Sequence, residues 1–263
     1  MVARWVWPVD SNTGQPLHKD VRRTMSKPTC NVTQYWNGLF DAGIPVPTGD
    51  AFRLAINPQL AEQRRAMILV TTDGATRAAV SERVASALRF APGGPAVSLQ
   101  GLRKALQSAG IEMHAPDVIY HVGEQGMPGV RNSSLIEVRQ LVPDDAALFE
   151  GFMAQTPVAD QDDASVELGH WATFGAFMEA ELLAVSSLYP WGGEEIADMG
   201  VLTMPRARGK GLAAALVQTM IEYAGTRGYD AQYRCQHDNV ASNRLAQSLG
   251  LKAYGQWEVA CTP

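Results

Sequence analysis

The segment Thr203–Leu216 constrains the fold of this chain more than any other part of the sequence. An apolar, alternating run leads into a short basic loop, which opens directly into an amphipathic helix. Such a loop directs several backbone N–H groups at one point, at the positive end of a helix dipole, and so binds phosphate. Gly209 and Gly211 let the backbone approach an anion closely, and Arg208 and Lys210 add positive charge.

The elements after the loop come in a definite order. The sequence predicts a helix that ends near Gly225–Gly228, a strand over Ala231–Cys235, an Asn-x-x-Ser helix that begins at Asn239 with Ser242, and a last strand that ends at Val259.

This order of elements resembles that of the GNAT acyltransferase superfamily. The loop matches the family signature Arg-x-x-Gly-x-Ala at Arg208, Gly211 and Ala213, and Pro205 stands three residues before the arginine, as is usual in the family. A second register, which starts at Arg206, also fits the letters.

The resemblance implies an α/β (α+β) protein with a GNAT acyltransferase fold, in which helices flank a mixed, twisted sheet. It covers residues 132–263 well and the preceding half only loosely. We therefore predict a catalytic GNAT domain over residues 131–263. We predict that residues 1–130 form an N-terminal extension and a smaller, degenerate GNAT-like αβ domain, joined by the linker Gly123–Gly129.

Hydrophobic periodicity predicts further elements in both halves. An aromatic helix is predicted over Gln34–Phe40, and a second helix, capped by Thr76, carries Val80, Val84 and Leu88. A third predicted helix is capped by Ser98 and ends at Gly110, and a fourth begins at Pro143. The predicted strands are Met67–Thr72, Val118–Val122, Ile136–Leu141, Trp171–Met178, Leu182–Leu188 and Glu195–Thr203.

Composition narrows the class of protein. The chain has no apolar run long enough to span a bilayer, and its first residues lack the order of a secretory signal. Its three cysteines are few and widely spaced, which indicates neither a disulfide framework nor a zinc site. We therefore expect a cytoplasmic protein that uses no metal and does not bind membranes. The oligomeric state stays open, with a homodimer as one option.

The net charge of −5 is distributed unevenly. Residues 1–131 carry 14 Lys+Arg against 10 Asp+Glu, whereas residues 132–263 carry 8 against 17. Because no basic stripe exists, nucleic acid is not expected as a partner. The acidic half is either a solubilising surface or an acceptor cleft that attracts a cationic amine.

The resemblance implies that acetyl-CoA is the co-substrate and that a primary amine is the acceptor. The CoA diphosphate would bind the loop amides, and a backbone N–H near Leu202–Thr203 would stabilise the oxyanion of the tetrahedral intermediate. Asn239 would orient the pantetheine arm or simply cap its helix. The predicted cofactor-binding residues are Leu202, Thr203, Arg208, Gly209, Lys210, Gly211, Leu212, Ala213, Asn239 and Ser242.

An alkyl ammonium, whose pKa is about 10, must lose a proton before it attacks. Family enzymes often use a carboxylate on or beside the strand that precedes the loop. Asp198 is therefore the first candidate for the base, followed by Glu195 and Glu194. His170 and His237 are the alternative titratable groups near predicted strand ends.

The chain departs from the family pattern at one position. Many members have a tyrosine four residues after the position of Ser242, where its hydroxyl protonates the leaving thiolate, but this chain has Ala246 there. Either another hydroxyl takes that role or the thiolate leaves unassisted.

Aromatic and acidic side chains provide candidates for the acceptor pocket. Trp171, Trp191 and Asp163 are the predicted substrate-binding residues, with Tyr189 and Trp257 as further aromatic candidates.

The acidic domain and the two-part layout resemble those of 2′-N-acetyltransferases that inactivate kasugamycin-type aminoglycosides. That resemblance implies an aminoglycoside antibiotic as acceptor and resistance as the outcome. The alternatives are a polyamine, an amino acid or a peptide α-amine as acceptor, or a pseudoenzyme that binds acyl-CoA without catalysis.

Overall fold

The computed structural model describes residues 31–49, 52–123, 126–127 and 135–261. The predicted N-terminal extension over residues 1–30 and part of the predicted linker lie outside these ranges. The described strands are β1 (Ile44–Val46), β2 (Phe52–Ile56), β3 (Ala66–Thr71), β4 (Thr76–Val80), β5 (Asp117–His121), β6 (Glu137–Leu141), β7 (Ala172–Met178), β8 (Glu181–Pro190), β9 (Ile196–Thr203), β10 (Asp230–Gln236) and β11 (Lys252–Val259). The described helices are α1 (Asn31–Asp41), α2 (Glu82–Leu88), α3 (Leu99–Ser108), α4 (Ala146–Met153), α5 (Val158–Ala164), α6 (Leu212–Thr226) and α7 (Val240–Ser248).

The described chain packs as two compact units. The loop unit, residues 135–231, contains β6 to β9 and α4 to α6. The second unit, residues 31–127 and 232–261, contains the other helices and strands, with β10 from Gln232 onward. We predicted a degenerate GNAT-like domain before residue 131 and a catalytic domain after it. This division was made by family resemblance and function, and it stays a prediction.

The sheet of the loop unit has the order β6-β7-β8-β9, and every neighbouring pair is antiparallel. β7 and β8 form a tight hairpin whose turn residues, Glu179 and Ala180, both have positive φ angles of 50° and 64°. A two-residue turn of this hand matches the right-handed twist of the strands. All four strands were predicted from the sequence, and these predictions are confirmed.

Helices cover the two faces of this sheet. α6 packs on one face, where the ring of Phe174 on β7 lies 5.3 Å from that of Tyr223. α5 packs on the other face, where Gly200 on β9 faces the backbone carbonyl of Ala164. Because side chains alternate along a strand, Asp198 shares this second face with Gly200.

The sheet of the second unit has the order β1-β2-β4-β3-β11-β5-β10. β2 and β4 are parallel and the other neighbouring pairs are antiparallel, so this sheet is mixed, as predicted. Leu102 and Leu106 of α3 and Val84 of α2 pack with Ile68 on one face. On the opposite face, Trp36 of α1 packs against Trp257, with ring centroids 5.0 Å apart.

The helix predicted to start at Thr76 was wrong. Residues Thr76–Val80 form β4, which pairs with both β2 and β3, and the helix starts only after Ser81. Ser81 is the true cap, since its side chain accepts a hydrogen bond from the Val84 N–H at 3.3 Å. The spacing of Val80 and Val84 imitated a helical repeat, but pairing with two neighbouring strands outweighs this local preference.

Asp145 ties the end of β6 to the start of α4. Its carboxylate accepts two hydrogen bonds from Arg139, at 2.7 and 2.9 Å, and one from the Val142 N–H at 2.9 Å. The Arg139 guanidinium, followed by the Val142 N–H, lowers the pKa of Asp145 from 3.8 to about 2.

We expect Asp145→Asn to lower the melting temperature at neutral pH. A depressed carboxyl pKa stabilises the fold above pH 3.8, and that contribution is lost as the pH falls towards about 2. The difference in Tm between the variant and the wild type should therefore shrink over this range, as thermal melts at several pH values would show. Asp144→Asn, which changes the exposed neighbouring carboxylate, is the matched control and should leave Tm unchanged at every pH.

Candidate active site

The loop after β9 has the local geometry that the sequence predicts. A short 3-10 turn, Pro205–Ala207, is followed by an extended Arg208, and α6 begins at Leu212. Gly209 and Gly211 have φ angles of 78° and 87°, a conformation that other residues adopt at a cost of roughly 1–2 kcal/mol. Glycine at these two positions therefore allows the abrupt change from turn to helix.

The backbone of this loop presents a row of hydrogen-bond donors. In the described part of the chain, the N–H groups from Gly209 to Ala214 donate to no acceptor. The first intrahelical bond of α6 runs from the Ala215 N–H to the Gly211 carbonyl. These donors lie at the N-terminus of a 15-residue helix, whose dipole favours an anion at this end.

Two arginines of the loop form ion pairs with neighbouring carboxylates. Arg206 donates two hydrogen bonds to Glu181, at 2.6 and 3.1 Å, and Arg208 donates one to Asp160 at 2.7 Å. Both guanidinium groups are about half exposed, and exposed pairs of this kind contribute roughly 0–1 kcal/mol. Either arginine can therefore turn to a phosphate at little cost. Lys210 is exposed.

The backbone N–H groups of β9 point alternately towards β8 and away from it. The Met204 N–H donates to the Leu183 carbonyl at 3.0 Å, on the side of β8. In an antiparallel ladder the N–H groups of every second residue point in the same direction. The N–H of Leu202, two residues before Met204, therefore also points towards β8. The N–H groups of Val201 and Thr203 then point away from β8. Of the two residues predicted to stabilise the oxyanion, the geometry favours Thr203 and adds Val201.

Five side chains on the α5 face of the sheet form an acid–imidazole cluster, which comprises Glu167, His170, Ser187, Tyr189 and Asp198. His170 Nδ1 lies 2.7 Å from Ser187 Oγ, and its Nε2 lies 3.9 Å from a carboxylate oxygen of Glu167. The Tyr189 hydroxyl donates to Asp198 at 2.9 Å, and the Tyr189 ring lies 4.7 Å from that of His170. The cluster thus places an imidazole between two carboxylates.

Burial differs sharply within the cluster. Asp198 is 2% exposed, so its carboxylate lies beneath the surface, whereas the His170 side chain is 22% exposed. Burial lowers the pKa of His170, while the negative charges of Glu167 and Asp198 act in the opposite direction and only partly offset it. At neutral pH His170 is therefore an uncharged imidazole beside two groups that stabilise its protonated form.

The segment between α5 and β7 holds His170 in place. The Glu167 N–H donates to Ser187 Oγ at 3.3 Å, and the Thr173 hydroxyl donates to the Glu167 carbonyl at 2.9 Å. Ser187 pairs with Gly200 across β8 and β9. His170 is therefore anchored level with Gly200, one residue before Val201.

The other predicted catalytic and acceptor residues of the loop unit lie outside this cluster. Glu194 is exposed on the turn before β9, and Glu195 lies close enough to Tyr229 to raise the pKa of its hydroxyl, although burial is the larger cause. Trp171 packs against Tyr223 and Tyr229, and Tyr223 belongs to α6, on the opposite face. Asp163 is exposed on α5.

Trp191 is the predicted aromatic residue that adjoins the cluster. It is 6% exposed, and its ring lies 6.5 Å from that of Tyr189. Trp257 is a buried residue of the second unit, packed against Trp36.

The predicted residues near α7 belong to the second unit. Asn239 caps α7, since its side chain accepts a hydrogen bond from the Ser242 N–H at 3.0 Å. Ala246 is fully buried. His237 is exposed, and its N–H donates to the Pro116 carbonyl at 2.9 Å.

Sequence reasoning missed Ser187 and Val201. The alternation of β8 carried a usable signal, because a serine on a strand between apolar residues must find a polar partner when it is buried. No pattern in the sequence indicated that this partner would be His170.

The described part of the chain supplies two further findings. Among its helices, none has the combination of length and apolarity that a membrane span requires. Within the same residues, no cluster of three or more His, Cys, Asp or Glu side chains is arranged to hold a metal ion.

Comparison with known proteins gives one family match. Residues 146–251 match the model of the acetyltransferase (GNAT) family. Comparison with curated proteins found no match to this chain.

Several solved structures are similar to parts of the chain. A GNAT-family acetyltransferase from Novosphingobium aromaticivorans has 22% sequence identity and a TM-score of 0.45, over 57% of this chain and 65% of its own. One from Colwellia psychrerythraea has 15% identity and a TM-score of 0.43, over 57% of each chain. AAC(6′)-Iy, solved with the bisubstrate analogue CoA-S-monomethyl-acetylneamine, has 19% identity and a TM-score of 0.36, over 45% of this chain and 92% of its own. This chain thus spans less than two thirds of the length of the first two structures.

Residues 146–251 are thus similar to the acetyltransferase (GNAT) family. The predicted GNAT fold, a mixed sheet flanked by helices, is confirmed.

Proposed function

We propose that this protein transfers the acetyl group of acetyl-CoA to a primary amine of a small polycation. The observation that carries the proposal is the row of donors from Gly209 to Ala214, at the N-terminus of α6, within the segment that matches the GNAT family. A diphosphate accepts several such hydrogen bonds at once, and the helix dipole adds to its binding. Arg208 and Lys210 stand beside the row and can neutralise the remaining charge.

The outward N–H groups of Val201 and Thr203 support transfer rather than binding alone. A backbone donor that faces the thioester oxygen stabilises the negative charge which develops when the amine attacks. Tyr189 and Asp198 lie on β8 and β9, and His170, in the segment before β7, is anchored on Ser187 of β8. These positions support the assignment of acetyl-donor binding, oxyanion stabilisation and proton transfer to the loop unit.

Charge supports a cationic acceptor. Residues 135–231 carry 15 Asp+Glu and only 5 Lys+Arg. Three of these five bases, Arg139, Arg206 and Arg208, are paired with carboxylates of the same unit. The remaining acidic excess includes exposed carboxylates on and after α5, such as Asp162, Asp163 and Glu167, which attract a molecule with several ammonium groups.

Among such molecules we propose an aminoglycoside of the kasugamycin type, so that the biological outcome is antibiotic resistance in the cytoplasm. The acidic surface beside the cluster supports this acceptor, because each amine of an aminoglycoside is protonated at neutral pH. An acetyl group would remove one of those charges.

The test is a panel assay with acetyl-CoA. Kasugamycin, other aminoglycosides, spermidine and several amino acids would each be offered as acceptor, with free CoA measured by a thiol reagent and the product by mass spectrometry. The proposal predicts a mass gain of one acetyl group and a kcat/KM for kasugamycin at least tenfold above that for spermidine. If kcat/KM is highest with spermidine or with an α-amine, the acceptor belongs to the polyamines or to the amino acids and peptides instead.

The pseudoenzyme alternative gives a different result in the same assay. A protein that only binds acyl-CoA would show a rise in melting temperature with CoA and no acetylated product with any amine. The proposal predicts both the thermal shift and turnover.

A further inference from the structure

The strongest unexplained feature of the loop unit is the imidazole of His170, a side chain that is 22% exposed. Among the described residues, none forms a hydrogen bond with its Nε2, although Nδ1 is anchored at 2.7 Å on Ser187 Oγ. The nearest charged group to Nε2 is the Glu167 carboxylate, at 3.9 Å. A buried Nδ1 contact and an open Nε2 leave one ring nitrogen for a ligand.

The position of Asp198 excludes the simplest assignment of the base. Its carboxylate is buried, and the Tyr189 hydroxyl donates a hydrogen bond to it at 2.9 Å. The burial of Asp198 and the hydrogen bond from Tyr189 both argue against direct contact between this carboxylate and a substrate ammonium. Tyr189 contacts the His170 ring, so Asp198 acts on the imidazole through Tyr189.

We infer that His170 Nε2 removes the proton from the acceptor ammonium, and that Asp198 is a positioning residue which acts through Tyr189. This inference rests on the proposed acetyl transfer and names its general base. Ser187, which holds Nδ1, pairs with Gly200, the residue before Val201 on β9. The anchor of the base is therefore one residue away, in the register of β8 and β9, from the residue assigned as an oxyanion donor.

One N–H bond of the ammonium breaks, its electron pair stays on nitrogen, and the proton moves to Nε2. The neutral amine then attacks the thioester carbon, the C–S bond breaks, and sulfur leaves with the electron pair. The proton that nitrogen loses on amide formation neutralises the thiolate, and the imidazolium returns its proton to water.

The charged groups around His170 suit this role. Glu167, on its own segment, and Asp198, on β9, both favour the imidazolium, and Tyr189 packs against the ring from β8. Burial outweighs the two carboxylates and keeps the pKa below the ordinary 6.5. The free imidazole is thus the main form at pH 7, and the two carboxylates reduce the cost that burial imposes on the protonated form.

His170→Gln is the direct test, made on the full chain with the best acceptor from the panel. We expect kcat to fall at least about 100-fold, the usual contribution of a general base, with the affinity for CoA unchanged by calorimetry. The acid limb of the kcat/KM profile, expected below pH 6.5 in the wild type, should disappear. His114→Gln in the second unit is the matched control. This variant should keep the wild-type kcat and the acid limb of the kcat/KM profile.

Two further variants separate a chemical role from a structural one. Asp198→Asn removes a charge that raises the pKa of His170, so the acid limb should move to lower pH while remaining present. If Asp198 were the base, that limb would vanish in Asp198→Asn and persist in His170→Gln. Ser187→Ala keeps the imidazole but frees Nδ1, and should lower kcat by less than His170→Gln does.

Failure of the inference is distinct from failure of the proposed function. A wild-type protein that binds CoA but acetylates no amine would remove the function itself. A wild type that turns over, with a His170→Gln variant within threefold of its rate and with an unchanged acid limb, would overturn the assignment of the base alone.

Discussion

Gly211→Val is expected to weaken CoA binding by about 30- to 150-fold. Gly211 has a φ of 87°, which costs roughly 1–2 kcal/mol for an ordinary L-residue and more for a β-branched one. A Cβ at this position would meet only Ile136 Cδ1, at 3.8 Å, so the effect comes from the backbone and not from a clash. The valine would rotate the donors from Gly209 to Ala214 out of register, and about 2–3 kcal/mol corresponds to the stated change in Kd.

Calorimetric titration with CoA measures this change. Gly225→Ala is the matched control, because Gly225 lies near the other end of α6, and none of the described residues places an atom against the added Cβ there. Alanine there should stabilise the helix by up to about 1 kcal/mol and leave CoA binding as it is. Equal CoA affinity in Gly211→Val and the wild type would show that the diphosphate binds elsewhere.

Gly200→Ala is expected to lower kcat by about 100-fold while CoA binding persists. The added Cβ would lie 1.9 Å from the Ala164 carbonyl oxygen, so the end of α5 must move away from β9 by more than 1 Å. The segment that follows α5 carries Glu167 and His170, and a displacement of about 1 Å in catalytic groups costs roughly 100-fold in rate.

The same substitution should also cost about 1–3 kcal/mol of stability, the usual penalty of overpacking. Gly151→Ala on α4 has no atom within 4 Å of its added Cβ and serves as the control for stability. Steady-state kinetics and denaturant unfolding measure the two effects separately. Wild-type kcat in a folded Gly200→Ala protein would show that α5 does not position the reacting groups.

The parts of the fold that the sequence predicted are those with strong local signals. The phosphate loop combines two glycines with an amphipathic helix, and β7, β8 and β9 are largely apolar, buried runs. Each of these patterns depends on residues that are close in the chain. The positions of Gly209 and Gly211 in the structure follow from the sequence for this reason.

The sequence could not reveal which contacts form between distant elements. Thr76–Val80 looked helical because Val80 and Val84 are four residues apart, and only pairing with β2 and β3 makes the segment a strand. β1 and β2, of three and five residues, were not predicted from the sequence.

In the candidate site, too, the sequence indicated what depends on neighbouring residues and not what depends on contacts between distant strands. Asp198 was found from its place before the loop, but the hydrogen bond from Tyr189 that covers it depends on the register of β8 against β9. His170 ranked below the carboxylates because its anchor, Ser187, is 17 residues away in the chain.

The most direct test of the account is an amide-resolved NMR titration of the 15N-labelled chain with CoA. If the diphosphate binds the loop, the largest chemical-shift changes will fall on the amides from Gly209 to Ala214, and in Gly211→Val these changes will require about 30- to 150-fold more CoA. Shifts that cluster on other amides, or no shift at saturating CoA, would contradict the assignment of this loop as the donor site.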